Sequence, residues 1–206
     1  MPRTLVIDTA TAACSVALIE DDTVIAHAHE EVSRGHAERL IPMIAELPDG
    51  GRARHILVDV GPGSFTGIRV GVAAARGLAL GWGASVAGYS SLALIAAGAD
   101  RAVPFAVVIE GGHGEVFMQA FAPRPCLHPL DAMASLSPAD ALTALGDRVA
   151  LGGGVRRLLD LPAAQNGGAD RLPRASQALL LPDGLRTLPP RPLYGRAPDA
   201  KLPSAR

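Results

Sequence analysis

Three stretches of this chain carry residue types that could do chemistry. Asp8-Thr9 closes a β-branched, apolar run and opens DTATAACS, a strand–turn–strand pattern with a carboxylate and hydroxyls. Such a turn can hold a phosphate when its backbone donors are open to the ligand. Here Ala10 and Thr11 stand where glycine would let a phosphate approach, so Asp8, Thr9 and Ser15 could equally hydrogen-bond within the turn. The second stretch is Gly61 to Gly67, GPGSFTG, which leads into a helix. A helix N-terminus after glycines binds anions. A phosphate loop also needs Gly-Lys followed by Ser or Thr, and no lysine is present. The stronger reading is a tight strand-to-helix turn with close packing. The third is Gly152-Gly153-Gly154, which could approach an adenosine or could enter a helix.

Other reactive side chains are isolated in sequence. No two of the six histidines stand four apart, so no helix presents a ligand pair on one face. His27 and His29 share one face of an alternating strand and read as solvated. His36, at a helix start, reads as a packed or capping side chain. His113 sits in a glycine turn beside Glu110 and Glu115. Cys14 has no recognisable base near it in sequence, and neither G-x-S-x-G nor H-E-x-x-H occurs.

The elements that must position these residues follow from periodicity. Thr4 to Ile7, Val16 to Ile19 and Thr23 to His29 read as a three-stranded meander. A helix over Arg34 to Leu47 follows, with Ser33 as its cap and a kink expected at Pro42. Ile56 to Val60 is a buried strand. The helix after it, capped by Ser64 or Thr66, is nearly all small or apolar. Gly67, Gly71, Ala74, Ala75 and Leu78 line one side, while Arg69 and Arg76 share a stripe with Val72 and Ala73. Such a helix should be covered on most faces, and its small side lets another backbone come close. Ala84 to Ala87 is a strand and Leu92 to Ala97 a helix, which closes a first α/β unit spanning residues 1–100. A second, smaller unit spans 101–206. It holds a hairpin (Pro104 to Ile109 and Glu115 to Phe121), a Ser137-capped helix over Pro138 to Leu145, and a strand over Val149 to Leu151. Short helices are expected over Val155 to Leu161 and Ala175 to Leu181. From Pro182 onward the chain is rich in proline and arginine and should be extended. The order of elements predicts an α/β fold with parallel strands and crossover helices.

Composition narrows the function classes. The chain has 206 residues, net charge −1, 49% hydrophobic and only 3% aromatic content. The charge argues against an autonomous nucleic-acid binder, and the aromatic poverty against a base-stacking platform. Two cysteines make no disulfide framework, and no apolar run suits a signal peptide or a membrane span. A cytoplasmic protein with no membrane partner is expected.

Four segments, IDTATAACSVAL, SRGHAERLIPMI, GPGSFTGIRVGVAAARGLAL and GYSSLALIA, occur in this order, and together they resemble the TsaB (YeaZ) family. GPGSFTGIR is the most diagnostic piece. In the second half EGGHGEVF stands where the family has D-A-R-x-G-E-V-Y, with Glu110 for the aspartate, and YGRAPDAK resembles its closing Y-L-R segment. Val60 replaces an arginine usual before GPGSFTG.

The resemblance implies the actin-like, Hsp70-like, sugar-kinase (ASKHA, RNase H-like) fold: two lobes of related topology, here with the second reduced. It implies a noncatalytic scaffold or activator that pairs with the catalytic TsaD subunit. That complex makes N6-threonylcarbamoyladenosine at position 37 of tRNAs reading ANN codons. TsaE ATPase would be a further partner, and tRNA would be met indirectly, through the complex. No intrinsic cofactor is implied, with ATP or ADP bound only in the assembly. Asp8, Thr9, Gly152 and Gly153 would then be a vestigial nucleotide turn. The helix from His36 and the central helix would form a four-helix seam with TsaD. Leu40, Ile44, Val72, Ala73 and Leu80 would supply its apolar centre, with His36 beside them and Arg69 and Arg76 at the rim. Spacing alone does not decide which face looks outward. The same seam could close on a second copy of the chain. The competing reading is an autonomous ATP-dependent transferase or kinase of the same superfamily, using Asp8 and the Gly152 to Gly154 turn.

Overall fold

A computed structural model describes residues 3–32, 34–168 and 171–195. Its first sheet has five strands in the order β3-β2-β1-β4-β5. They are β1 (Arg3–Asp8), β2 (Ala13–Glu20), β3 (Thr23–Glu31), β4 (His55–Asp59) and β5 (Ser85–Tyr89). The meander β1–β2–β3 is antiparallel, and β1–β4 and β4–β5 are parallel. Side chains alternate across this sheet as period-2 strands require. Leu5 and Ile7 face α1 (His36–Ala45) and α2 (Phe65–Trp82), while Val6 faces α3 (Ser91–Ala97) and the second lobe.

The second sheet repeats the plan with one strand fewer. Its order is β8-β7-β6-β9, from β6 (Phe105–Glu110), β7 (Val116–Phe121), β8 (Ala134–Leu136) and β9 (Val149–Leu151). β6–β7–β8 is an antiparallel meander and β6–β9 is parallel. This duplicated arrangement is the actin-like, sugar-kinase architecture expected above, with its second lobe reduced. Phe105, Val107 and Ile109 face the shared centre, and Ala106 and Val108 face α4 (Pro138–Leu145). Strand β8 is not apparent in sequence, because three half-buried residues carry no alternation to read. The segments Gly153–Arg157 and Ala175–Leu180 form 3-10 turns rather than α-helices. No described helix is long and apolar enough to cross a membrane.

Helix termini follow local chemistry. Ser64 caps α2, its hydroxyl accepting from the Gly67 N–H at 3.2 Å, and Ser137 caps α4 from the Asp140 N–H at 3.2 Å. Gly83, at φ 67°, ends α2 in the left-handed conformation that glycine adopts without strain. The cap expected at Ser33 lies outside the described residues; the N-cap of α1 is Gly35, at φ 94°. Pro42 sits inside α1, where its ring removes the donor that would reach the Glu38 carbonyl.

The boundary expected near residue 100 falls between α3 and β6, but the chain does not stay in the second lobe. From residue 171 it returns to the first. Ala175 N–H donates to Ser15 Oγ at 3.0 Å. Leu188 and Gly88 exchange backbone hydrogen bonds across the open edge of β5, and Leu193 N–H reaches the Val60 carbonyl at 2.7 Å. The extended segment thus covers an edge that would otherwise expose unpaired donors and acceptors.

The small side of α2 has a definite occupant. A Cβ at Gly67 would stand 2.0 Å from the Thr9 carbonyl oxygen, and one at Gly71 would stand 2.5 Å from Thr9 Oγ1. The backbone that approaches α2 is therefore the chain's own β1–β2 turn. By contrast, a Cβ at Gly77 meets nothing within 4 Å. Replacing Gly67 by Ala should lower stability by at least about 2 kcal/mol, because backbone must move. Gly77→Ala should raise it by about 1 kcal/mol through helix propensity alone. Urea unfolding midpoints of the two variants against the parent test both directions.

Candidate functional site

The strands β1 and β4 end side by side in the sheet, each on an aspartate. Asp8 and Asp59 are both fully buried. Tyr89, at the end of β5, donates its hydroxyl to Asp8 Oδ2 at 3.0 Å. Asp59 Oδ1 accepts from the Gly61 N–H at 2.7 Å and from Ser91 Oγ at 2.9 Å. The remaining oxygens, Asp8 Oδ1 and Asp59 Oδ2, are buried with no hydrogen-bond partner among the described residues. The two carboxyl groups are neighbours in the same buried space, and each shifts the other's protonation.

Burial pushes both acids up. Asp8 rises from an ordinary 3.8 to about 6, held back by Asp59, Tyr89 and the Ala10 N–H. Asp59 is pushed well above the usual range by burial first and then by the charge of Asp8. The same surroundings push the Tyr89 phenol up, again by burial first.

Asp8 and Thr9 therefore face into the lobe. Thr9 Oγ1 donates to the Gly67 carbonyl at 2.7 Å, and Ser64 N–H donates to the Ala10 carbonyl at 2.7 Å. Gly63 closes on the same turn: its Cβ would lie 2.1 Å from the Ala10 oxygen. The side of the turn expected to hold a phosphate is filled by the GPGSFTG loop, so Asp8 and Thr9 are corrected from ligand-facing to internal residues. Gly152 is likewise a packing residue, since a Cβ there would meet the Val108 carbonyl at 2.5 Å. Gly153 is open and lines a cleft of about 1060 Å³ between the lobes.

That cleft is walled by the tip of the β1–β2 turn, the start of α2, the Glu110–Phe117 turn and residues 193–195. His113 holds its backbone at φ 61° on the cleft wall, an uncommon conformation for a residue with a Cβ. At its mouth Phe65 and Tyr194 stack with centroids 5.3 Å apart. The Arg69 guanidinium lies 3.4 Å from the Phe65 centroid, and its Nε donates to Tyr194 Oη at 2.9 Å.

The outer side of the first lobe is the second candidate surface. Four residues expected at a partner seam lie inside: Leu40 is 1% exposed, Ile44 2%, Val72 4% and His36 8%. They are corrected to core positions, since α1 turns Leu40, Met43 and Ile44 toward the sheet. His36 Nε2 donates to the carbonyls of Thr11 and Ala13 at 2.9 and 3.2 Å, which ties α1 to the β1–β2 turn. Arg69, Ala73, Arg76 and Leu80 do face outward. Leu80 is 89% exposed, and across from α2 the α1 residue Ile41 is 49% exposed beside exposed Pro42 and Ala45. Sequence periodicity passed over Gly77, which is exposed on the same stripe. Arg69 is engaged with Phe65 and Tyr194, so it belongs as much to the cleft mouth as to this stripe.

Cys14 is buried, and burial raises its thiol to about 11, which leaves no thiolate near neutral pH. Among the described residues no three His, Cys, Asp or Glu side chains cluster as metal ligands would.

Comparisons with known proteins place this geometry. The family model described as TsaD, tRNA N6-adenosine threonylcarbamoyltransferase, matches residues 25–123. A protein of Escherichia coli named tRNA threonylcarbamoyladenosine biosynthesis protein TsaB is 44% identical over 126 residues, 56% of this chain and 53% of that protein. An uncharacterized protein of Mycobacterium tuberculosis is 29% identical over 214 residues, 96% of this chain and 93% of that one. Two solved structures from Pseudomonas aeruginosa superpose well. One, described as an uncharacterized protein with similarity to peptidase YEAZ, has a TM-score of 0.76 at 28% identity, covering 95% of this chain and 100% of that chain. The other, described as YeaZ, has a TM-score of 0.74 at 29% identity, covering 88% and 90%. The chain spans about half the length of the curated TsaB relatives it matches.

The buried acids make stability depend on pH in a defined sense. Both bind a proton more tightly folded than unfolded, so their contribution is full below the ordinary 3.8 and is lost as pH rises through about 6 and above. Asp59→Asn keeps the shape and removes one titration. Guanidinium unfolding at pH 4.5, 6.0 and 7.5 should show a smaller loss of stability with pH in Asp59→Asn than in the parent. Parallel curves for the two proteins would remove the acid pair as the cause.

Proposed function

We propose that this chain, which is similar to TsaB proteins and to the solved YeaZ structures, serves tRNA threonylcarbamoyladenosine synthesis as a noncatalytic partner. On this reading it docks the catalytic TsaD subunit through the outer face of α1 and α2. The observation that carries the reading is the exposed stripe Ala73–Gly77–Leu80 beside Ile41, with Leu80 at 89% exposure. A leucine that open on a helix otherwise packed into the lobe costs about 2 kcal/mol relative to burial, a gain that a docked helix would recover. Gly77 has open space where a Cβ would be, so a partner backbone can approach closely. Arg76, exposed one turn away, supplies a polar rim.

The noncatalytic part of the proposal is supported by Asp8. A carboxylate that anchored a metal–nucleotide would need to face the cleft, whereas this one is buried against Asp59 and Tyr89. The autonomous transferase or kinase reading needs that carboxylate open. In the proposed assembly the TsaE ATPase, ATP or ADP, and tRNA engage the pair rather than this chain alone, and the same face could join two copies when TsaD is absent.

Leu80→Glu changes a residue outside the core, so its thermal melting should match the parent, and Gly77→Arg, which replaces a helical glycine, should melt no lower than the parent. Each should weaken co-purification with cognate TsaD by at least tenfold and lower the modified nucleoside in tRNA from cells that depend on the variant. A normal complex from both variants would sink the docking face. Loss of the nucleoside with an intact complex would instead place the chain's contribution elsewhere.

A further inference from the structure

A second cavity of about 250 Å³ adjoins the cleft. Glu31, Ile95, Arg171 and Leu172 line both spaces, so they share a wall. Their chemistry differs. The cleft is floored by apolar side chains that include Ile68, Ile109 and Phe117, whereas the smaller cavity gathers His29, Arg171, Arg174 and Gln177.

The smaller cavity carries more positive than negative charge. Two guanidinium groups face one carboxylate, Glu31. Arg171 uses one N–H on the Gly98 carbonyl at 3.1 Å. Among the described residues the Arg174 guanidinium takes no hydrogen bond or ion pair. His29 Nδ1 is buried with no hydrogen-bond partner among them. Its imidazole is held toward the neutral form by burial first and then by Arg174. The segment is firmly placed, because the Ala175 N–H beside Arg174 is bound to Ser15 Oγ on β2.

We propose that the two adjoining cavities form one site for an organic oxyanion, a carboxylate or phosphate monoester carried on a planar apolar body. The head group sits in the small cavity against Arg171, Arg174, His29 and Gln177. The body lies in the cleft against Phe117. A planar guanidinium pairs with either kind of oxyanion through parallel N–H donors, and a cleft with a mainly apolar surface and polar groups such as Glu110, His113 and Arg156 on its walls has the form of a small-molecule site. A polyphosphate does not suit it. Two guanidinium groups opposed by Glu31 cannot balance several charges, and the β1–β2 turn is filled by the GPGSFTG loop.

Isothermal titration of the full chain tests this with five probes: AMP, indole-3-acetate, adenosine, inorganic phosphate and ATP. At least one of AMP and indole-3-acetate, which carry both head and body, should bind tenfold or more tighter than adenosine or inorganic phosphate. Which of the two binds better distinguishes a phosphate from a carboxylate head. Arg174→Ala should reduce that probe to the level of adenosine while leaving the melting temperature unchanged, since the side chain is exposed and unbonded. Arg174→Lys should restore part of the loss. The proposal fails if neither probe binds at millimolar concentration, if Arg174→Ala binds as the parent does, or if ATP binds tightest.

Discussion

The contact between the β1–β2 turn and the loop that starts α2 constrains everything else in this lobe. The carbonyl oxygens of Thr9 and Ala10 lie where Cβ atoms of Gly67 and Gly63 would stand, 2.0 and 2.1 Å from those positions. Only glycine permits that approach. Once it is made, α2 must cross the sheet with Gly67, Gly71, Val72 and Ala75 inward. Ala73, Gly77 and Leu80 are then left outward. The inner contact and the outer surface are two sides of one helix, so the residues that seal the turn also determine what α2 can show to a partner.

The same contact explains a buried pair of carboxyl groups. Once the turn is closed, Asp8 cannot reach solvent, and it meets Asp59 at the end of the neighbouring parallel strand. Burying two acids is costly unless they are held toward the protonated form and are hydrogen-bonded. Gly61, Ser91, Tyr89 and Ala10 supply those bonds. The result ties β1, β4, β5, α3 and the GPGSFTG loop at one point, which suits positioning better than turnover.

Much of this plan is legible in the residues. The three-stranded opening, the Ser64 and Ser137 caps, the glycine turn and the small side of α2 all follow from spacing and turn chemistry. The orientation of α1 does not. Ala37, Leu40, Ile41, Ile44 and Ala45 form one apolar stripe wide enough to be split, and the sheet takes Leu40 and Ile44 while Ile41 and Ala45 stay outside. Periodicity identifies a stripe, but the neighbouring element decides which edge of it is buried. Asp59 was equally opaque, because its partner lies 51 positions earlier and meets it only through the parallel pairing of β1 and β4. His29 reads as solvated by alternation, yet residues 171–177, far along the chain, build a wall over it. Long-range placements of this kind have no local signal.

The return of residues 171–195 to the first lobe bears on how the molecule is made. Arg69 and Tyr194 are 125 positions apart, and Ser15 and Ala175 are 160 apart. A ribosome working from the N-terminus extrudes the whole first sheet long before these closing pieces exist. Until then the edge of β5 and the inter-lobe side of the sheet stand uncovered, and they are open to pairing with another nascent chain. The first lobe is thus begun early and finished last. A chaperone that shields that edge during synthesis would act on the interval between the two.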